Sequence, residues 1–217
     1  MTQKQIPNGL FITLEGPDCA GKSTQATQLA AYLRDAGYDV LETREPGGTK
    51  IGEELRNLVK HVVGDDAPCS EAELFMFSAA RAQITRKVIL PHLATGGIVL
   101  CDRYADSTTA YQGYGRGLDL EMIETMHEIA VIGRWPDVTI LMDLEPEVSR
   151  RRHESREETK GIADRFEDEE RAFHERVRNG YLELAKKHPQ RFSTVNADDA
   201  IDHIQSQIRE VVDRAIS

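Results

Sequence analysis

The sequence predicts an α/β protein with a parallel five-stranded sheet flanked by helices. Short apolar runs that suit buried strands alternate with stretches of helical period along the whole chain. Two of the runs end in an aspartate, Asp102 and Asp143, and functional loops of parallel sheets follow strand ends of this kind. The chain has 217 residues, 40% of them hydrophobic, with no long linker or repeat. One core can enclose it, and we expect a single domain over residues 1–217.

Four of the predicted strands are short, mainly apolar runs at residues 10–14, 40–41, 98–101 and 138–142, and the fifth is the segment 192–195, which reads FSTV. The helix after the first strand has small and apolar residues on one face, and we expect Gly37 to end it. These residues are Ala26, Leu29, Ala30 and Leu33. The last helix has apolar residues three and four positions apart, which predicts that it packs on the sheet. They are Ile201, Ile204, Ile208, Val211 and Val212.

Charge and cysteine usage exclude several classes of protein. The chain has 37 acidic residues against 27 Lys and Arg, a formal net charge of −10, whereas proteins that bind nucleic-acid polymers or anionic membranes normally carry a basic excess. Cys19, Cys69 and Cys101 are widely spaced and form no C-x-x-C pair, which predicts thiols in a reducing cytosol. No signal-peptide pattern begins the sequence, and no apolar run approaches the roughly 18 residues of a membrane span. We expect a soluble, cytoplasmic protein.

Residues 16–23 read GPDCAGKS and fit G-x-x-x-x-G-K-[ST] directly after the first strand. With a helix following, this is the P-loop in its required context. The two glycines let backbone N–H groups point at phosphate oxygens, and the helix N-terminus adds partial positive charge. Lys22 supplies a full charge for the β and γ phosphates, and Ser23 offers a hydroxyl to Mg²⁺. We expect a nucleoside triphosphate at Gly16, Pro17, Asp18, Cys19, Ala20, Gly21, Lys22, Ser23 and Thr24.

Among P-loop proteins, the other motifs favour a kinase of small molecules. A GTPase needs N-K-x-D, but no Asn of this sequence is followed by Lys, and it needs D-x-x-G after a strand, but Asp102 is followed by Arg-Tyr-Ala. A kinase must exclude water and hold its acceptor in line with the γ phosphate, which requires arginines and a mobile lid. Arg44 and Arg103 follow the second and third strands at one sheet edge, where two guanidinium groups can bind a second phosphate. A surface ion pair also explains either arginine alone.

Five segments in order carry a family resemblance over nearly the whole chain: GPDCAGKST, REPGGT, FSAARAQ, DRYADSTTAYQG and DRFE. Together they resemble thymidylate kinases of the bacterial kind. The resemblance implies a P-loop nucleoside monophosphate kinase-like fold with a helical lid, and ATP-dependent phosphorylation of thymidine monophosphate (dTMP) to the diphosphate (dTDP), in dTTP biosynthesis. It also implies Mg²⁺ and a homodimer. Two alternatives stay open on the sequence alone: a kinase of another nucleoside or nucleotide, and a non-catalytic nucleotide-binding regulatory protein.

The resemblance also implies an acceptor site. It places Arg44 and Arg103 on the monophosphate, Phe77 against the thymine ring and Arg81 at a base carbonyl. Phe77 and Arg81 are four residues apart and so share a helix face, which independently allows both to meet one base. The alternative is that Phe77 is core, like its neighbours Leu74 and Phe75. The expected substrate-binding residues are Asp18, Arg44, Glu45, Pro46, Phe77, Arg81, Arg103, Ser107, Tyr111 and Gln112.

Two aspartates near the phosphates belong to the same prediction. Asp18 lies inside the P-loop, where a carboxylate needs a partner, and the family supplies the sugar 3′-hydroxyl or a neighbouring arginine. Asp102 is expected to hold a magnesium-bound water and to orient Arg103, although a loop cap also explains a strand-end aspartate. Ser23 and Asp102 are therefore the expected metal site.

A lid is expected at about residues 146–166, which overlaps a segment from Arg150 to Arg178 where charge becomes dense. Some thymidylate kinases carry an arginine in the P-loop where this chain has Cys19, and their lids lack basic residues. Here the lid is expected to supply that charge, since positioned positive charge stabilises phosphoryl transfer. The alternative is a solvated helical hairpin.

The lid contains four candidate arginines, Arg150, Arg151, Arg152 and Arg156, of which Arg152 and Arg156 are preferred; Arg165 can also serve. The expected catalytic residues are then Lys22, Arg103, Arg152 and Arg156.

Overall fold

The computed structural model describes residues 3–155, 164–166 and 169–217. At its centre is a parallel sheet with strand order β2-β3-β1-β4-β5. The strands are Leu10–Glu15 (β1), Val40–Arg44 (β2), Ile98–Asp102 (β3), Val138–Asp143 (β4) and Phe192–Asn196 (β5). The predicted α/β class and the five predicted strands are confirmed, and each strand extends past its predicted end to a polar residue.

The helices of the described ranges are Lys22–Asp35 (α1), Lys50–His61 (α2), Ser70–Ile84 (α3), Leu90–Ala94 (α4), Ala105–Thr108 (α5), Leu120–Val131 (α6), Pro146–Glu154 (α7), Arg171–Lys187 (α8) and Ile201–Ile216 (α9). Two π-helical segments, Thr85–Ile89 and Thr109–Gly115, continue α3 and α5. α1 ends just before Gly37, whose φ is 96°, as predicted. Among the helices described, none is long and apolar enough to cross a bilayer.

The two faces of the sheet are covered by separate parts of the core. On one face, Ile12 and Leu14 of β1 pack with α1 and with Ile208 of α9, which confirms the predicted packing of the last helix. On the other face, Phe11 of β1 and Val99 of β3 pack with α3 and α4. Burial of each large apolar side chain contributes about 1.5–3 kcal/mol, so the doubly covered central strands are firmly held.

The charge-dense segment divides into two different helices. α7 has no buried residue, whereas α8 buries one apolar face in the core. That face consists of Phe173, Val177, Tyr181 and Leu184, spaced four, four and three residues apart. The solvated-hairpin alternative is therefore wrong for α8, which the charged residues on its outer face had concealed.

The parallel sheet brings the ends of its strands to one edge. β1 lies between β3 and β4 and leads directly into residues 16–23. In the neighbouring strands, Arg44 at the end of β2 is in register with Asp102 at the end of β3. Ligands of open parallel sheets bind outside this edge, so the fold assembles the predicted site residues there.

Candidate active site

A cleft of about 480 Å³ opens at the carboxyl edge of the sheet. The P-loop, the turn after β2, α3, the end of β3 and the π-helical segment after α5 form its walls. Its lining includes sixteen residues that the sequence predicted: Asp18, Cys19, Gly21, Lys22, Ser23, Thr24, Arg44, Glu45, Pro46, Phe77, Arg81, Asp102, Arg103, Ser107, Tyr111 and Gln112. Gly16, Pro17, Ala20 and Arg152 lie outside the lining.

The P-loop is a tight turn that requires glycine at both fixed positions. Gly16 has a φ of 133°, and a Cβ atom there would lie 2.4 Å from the carbonyl oxygen of Met142. Gly21, with a φ of 89°, directly precedes α1. Lys22 is buried, and its Nζ donates to the carbonyl oxygens of Gly16 and Pro17 at 3.2 and 2.7 Å. Burial, with the nearby positive charge of Arg103, lowers the pKa of Lys22 to about 8.

Ser23 and Asp102 meet where the P-loop helix approaches the end of β3. The hydroxyl of Ser23 donates to Oδ2 of Asp102 at 2.7 Å. One hydroxyl and one carboxylate suit Mg²⁺, which keeps several waters and takes its other ligands from substrate phosphates. The described residues contain no cluster of three or more metal-ligating side chains, and a magnesium ion shared with a nucleotide does not require one. The donor set fits the predicted metal.

Arg103 is fixed at the centre of the site by five hydrogen bonds. Nη1 donates to Gly16 O, Ser107 Oγ and Tyr181 Oη at 2.8, 3.2 and 3.0 Å. Nη2 donates to Asp18 Oδ1 at 2.7 Å and to the Tyr111 hydroxyl at 3.1 Å. Asp18 from the P-loop makes the ion pair with Arg103, whereas Asp102, which was predicted to orient Arg103, acts on it through its negative charge.

Asp18 thus has the arginine partner that its place in the P-loop demanded. Burial alone would raise the pKa of this carboxyl group, but the charges of Arg103, Lys22 and Lys60 hold it well below its usual range. The Tyr111 hydroxyl donates to the second carboxylate oxygen at 3.1 Å. Asp18 is therefore ionised and links the P-loop to the wall that carries Arg103.

Behind Arg103 lies a buried carboxylate that the sequence reasoning missed. Glu15 ends β1, and its oxygens accept from Tyr104 N, Ser107 Oγ and Tyr181 Oη. Burial and the negative charge of Asp106 raise the pKa of Glu15 to about 7. A charged residue at the end of an otherwise apolar strand was the available signal, whereas nothing in the sequence connected it to Tyr181.

Arg81 is also held by other side chains. Its Nε and Nη2 atoms lie 3.1 and 2.7 Å from the two carboxylate oxygens of Glu45, and Nη2 donates to Thr108 Oγ1 at 2.7 Å. Nη1 is 3.5 Å from Nδ1 of His127. Burial, reinforced by the charges of Arg81 and Arg191, lowers the pKa of His127 to about 2, so this imidazole is neutral and can accept from Arg81. Glu45 is therefore placed as the support of Arg81 within the cleft wall.

Aromatic residues form the wall beside Arg81. Phe77 is half-buried, lines the cleft and lies with its ring centroid 5.9 Å from that of Phe166. Phe75 is not core, since 58% of it is exposed. Two residues of separation on a helix turn these rings to different sides, and only Phe77 reaches the cleft. Gln112, also in the lining, donates its amide to Glu73 at 2.8 Å.

The lid arginines point in different directions. Arg152 donates to the Cys19 carbonyl oxygen of the P-loop at 3.3 Å and to Asp198 at 3.2 Å, whereas Arg150 pairs with Glu147 and Glu154 on the exposed face of α7. Arg152 lies in the same face as Ser149, which donates to the carbonyl oxygen of Asp18 at 2.7 Å.

Arg165 and Arg156 complete the predicted lid. Arg165 is not at the P-loop: it donates to Glu73 at 3.0 Å and to the carbonyl oxygens of Val59 and Pro68. The preferred residue Arg156 and part of the predicted lid segment 146–166 lie outside the described residues.

Fold and site together define a class of protein. A P-loop and the arginines Arg44, Arg81 and Arg103 line one cleft at the edge of a parallel sheet. This is the arrangement of a nucleoside monophosphate kinase of the P-loop class.

Comparisons with known proteins give the family. The family model described as thymidylate kinase matches residues 14–208, and this chain belongs to the thymidylate kinase family. The thymidylate kinase of Nitratidesulfovibrio vulgaris is 46% identical over 210 residues, covering 94% of this chain and 97% of that protein. That of Pseudomonas putida is 47% identical, covering 93% of each. The crystal structure of the Ehrlichia chaffeensis thymidylate kinase is 34% identical with a TM-score of 0.76, covering 95% of this chain and 99% of the other.

The activity follows from this membership. The chain is an ATP-using kinase that phosphorylates dTMP to dTDP. Both open alternatives, a kinase of another nucleotide and a non-catalytic regulatory protein, are thereby set aside.

Proposed function

We propose that the P-loop holds ATP, that Arg103 and Arg44 hold the phosphate of dTMP, and that transfer is direct and in line. An oxygen of the dTMP phosphate forms a bond to the γ phosphorus while the bond from γ phosphorus to the β–γ bridging oxygen breaks, and that oxygen leaves with ADP. No base is needed, because the attacking oxygen is already anionic at neutral pH. The protein's task is to position the groups and to stabilise negative charge.

One observation carries this assignment. The carbonyl oxygen of Gly16 accepts both from Lys22 Nζ, at 3.2 Å, and from Arg103 Nη1, at 2.8 Å. The cation expected at the ATP phosphates and the cation expected at the acceptor phosphate therefore share one neighbour. Groups from the two substrates can meet between them, where charge spreads over the transferred phosphoryl group.

Ser23 and Asp102 would hold Mg²⁺, whose charge neutralises the β and γ phosphates of bound ATP. Their 2.7 Å contact supports the pairing. Replacing Asp102 with Asn should raise the Mg²⁺ concentration required for half-maximal activity, because an amide binds this hard cation less well. An unchanged magnesium titration would contradict the assignment.

The base of dTMP would lie between Phe77 and the Arg81 side of the cleft. Support comes from the lining: Phe77 offers a ring face, Arg81 is fixed by Glu45, and Gln112 lies in the same wall. The experiment is ATP consumption with Mg²⁺ and each deoxynucleoside monophosphate in turn. Turnover with dTMP alone is expected, and equal turnover with a purine nucleotide would contradict this placement.

Lys22 provides the corresponding test of the ATP site. Lys22→Ala should lower kcat by about a hundredfold or more, because a full charge at the transferring phosphoryl group is lost. Lys50→Ala, at an exposed position that begins α2, is the matched control and should be as active as the wild type. Near-normal activity of Lys22→Ala would refute the assignment.

We also infer that Arg152 is the lid arginine that reaches the transferred phosphoryl group. Its guanidinium group is already 3.3 Å from the Cys19 carbonyl oxygen, and Ser149 joins α7 to the P-loop next to it. Arg156 remains a second candidate from the sequence.

A homodimer is our proposal for the quaternary structure, and the enzyme is expected in the cytoplasm, where the free thiols of Cys69 and Cys101 would stay reduced. α3 packs against both α2 and α6, and these helices expose Leu58, Phe75 and Ile129. Exposed apolar side chains on adjacent helices are typical of protein interfaces. Ile129→Asp should give a monomer in sedimentation analysis, whereas Ile201→Asp, an exposed apolar position on α9, should not. A monomeric wild type would contradict the dimer.

A further inference from the structure

The proposed mechanism uses Arg103 and leaves the carboxylate of Glu15 without a task. Glu15 is fully buried and does not line the cleft. A buried carboxylate is unfavourable unless its oxygens are hydrogen-bonded. Here Oε1 accepts from Tyr104 N at 2.6 Å, and Oε2 accepts from Ser107 Oγ at 2.6 Å and from Tyr181 Oη at 3.1 Å. The carboxylate is satisfied by the groups that surround Arg103.

Two of those groups lie between the carboxylate and the guanidinium. Ser107 Oγ and Tyr181 Oη are 3.2 and 3.0 Å from Nη1 of Arg103 and 2.7 Å from each other. Arginine can only donate, so both hydroxyl oxygens accept from it. An ionised carboxylate can only accept, so it draws the hydroxyl protons away from the arginine. Hydrogen bonds thus run in one direction from Arg103, through two hydroxyl groups, to Glu15.

Glu15 also holds the backbone next to Arg103. Arg103 has a φ of 70°, in the left-handed region that a residue with a side chain rarely adopts. The N–H of the next residue, Tyr104, donates to Oε1 of Glu15. One carboxylate therefore fixes both the main chain after Arg103 and, through the hydroxyl groups, its guanidinium end.

We propose that Glu15 and Tyr181 are positioning residues that set the place of Arg103, and through it the rate of phosphoryl transfer, without contacting either nucleotide. This inference rests on the proposed role of Arg103 at the phosphates. A charge that stabilises a transition state must be held in place before the reaction, since even a small displacement weakens its effect. Tyr181 belongs to α8, so the helix beyond the lid takes part in building the acceptor site.

The test compares Tyr181→Phe, Glu15→Gln and the double variant at about pH 8, where the Glu15 carboxylate is ionised. Tyr181→Phe removes a single oxygen from outside the cleft, and we expect kcat to fall about tenfold as Arg103 loses alignment. The KM for ATP should stay within about twofold, because the P-loop binds ATP through its own backbone groups. Tyr114→Phe is the matched control: its ring packs over Gly180, next to Tyr181, and kcat should not change.

The kcat of the double variant shows whether Glu15 and Tyr181 position Arg103 together or only stabilise the fold. If both residues act through the same hydrogen bonds, the double variant should lose about as much kcat as the worse single variant. Multiplied losses, or a wild-type kcat in Tyr181→Phe, would overturn the proposal. Thermal unfolding of each variant is measured alongside; should Glu15→Gln not fold, the kcat and KM values of Tyr181→Phe and Tyr114→Phe decide.

Arg103→Ala distinguishes this failure from failure of the proposed function. Loss of activity in Arg103→Ala, together with normal kcat in Tyr181→Phe and Glu15→Gln, would overturn only the positioning role. Near-normal activity in Arg103→Ala would overturn the assignment of Arg103 itself, and the positioning role with it.

Discussion

The end of β3 and the lid helix α7 hold their arginines in opposite ways. Arg103 makes five hydrogen bonds of 2.7–3.2 Å, and its side chain is 16% exposed. Arg152 makes two hydrogen bonds, at 3.3 and 3.2 Å, and its side chain is 36% exposed. The first guanidinium group is fixed when the chain folds, whereas the second retains freedom to rearrange.

This difference matches the order of events in a kinase. Immobilising a long side chain costs up to about 2 kcal/mol of rotamer entropy. At Arg103 the folded core meets that cost once, so the acceptor phosphate that we propose to bind there would find a preformed partner. If Arg152 acts at the transferred phosphoryl group, as we propose, the cost falls in each catalytic cycle, as suits a group that must admit ATP and release ADP.

Arg103→Lys tests the fixed side and has the largest expected effect. A lysine keeps the charge but cannot donate to Asp18 and Ser107 from a planar fork, so we expect kcat/KM for dTMP to fall about 100- to 1000-fold. Steady-state kinetics measure this loss. The control is Arg34→Lys, an exposed residue paired with Glu42, which should behave like the wild type. A loss of less than about threefold at Arg103 would show that charge alone suffices.

The pH dependence of stability tests the buried acid behind Arg103. Burial and Asp106 raise the pKa of Glu15 from 4.5 to about 7, so the folded state holds this proton more tightly than the unfolded state. The stability that this provides is complete below the unfolded value and is lost as the pH rises through the folded value.

Glu15→Gln lacks this titration, so its stability relative to the wild type should increase from about pH 5 to about pH 8, by at most about 3 kcal/mol. Denaturant unfolding at several pH values measures the difference. If the stability difference between Glu15→Gln and the wild type does not vary with pH, Glu15 has an ordinary pKa. The contrast between the buried surroundings of Arg103 and the more exposed position of Arg152 would then be weaker.

Arg152→Ala tests the less firmly held arginine of the lid helix α7 and should have a moderate effect on activity. We expect kcat to fall about tenfold, since one charge near the transferred phosphoryl group is lost while Lys22 and Arg103 remain. The unfolding temperature should hardly change, because Arg152 is partly exposed and weakly bonded. A loss as large as that of Arg103→Lys would mean that the lid arginine is no less important than the fixed one.

Arg150→Ala should have the smallest effect. Arg150 is exposed on the outer face of α7 and pairs there with Glu147 and Glu154, and exposed pairs of this kind contribute little to stability. Activity should stay within about twofold of the wild type. A loss of activity that equals that of Arg152→Ala would contradict the orientation of α7.

The sequence was sufficient to predict those features of the structure that depend only on residues close together in the chain. The P-loop follows from a single motif, because its geometry is set by two glycines and the start of one helix. The strands follow from apolar runs, and Arg103 from its place at a strand end. None of these features requires knowledge of which distant residue lies opposite.

Distant pairs and helix orientation could not be predicted. Glu15 and Tyr181 are 166 positions apart, and Tyr181 reads as one more core residue of α8. Arg150 and Arg152 are alike in sequence, and only the contacts of α7 with the P-loop show which of the two lies toward that loop. The support of Arg81 by Glu45 likewise depends on how two segments cross.

The shared carbonyl oxygen of Gly16 has a consequence for how the two substrates bind. If Lys22 turns from that oxygen toward the ATP phosphates, as we propose, Arg103 is left as its principal donor and should be held more firmly. Donor binding should then favour acceptor binding, and thermodynamic linkage makes the effect mutual. Calorimetric titration of dTMP with and without a non-hydrolysable ATP analogue measures this cooperativity, and equal affinities would show that the oxygen transmits nothing. A single peptide group of the P-loop would then make each nucleotide site sensitive to the occupancy of the other.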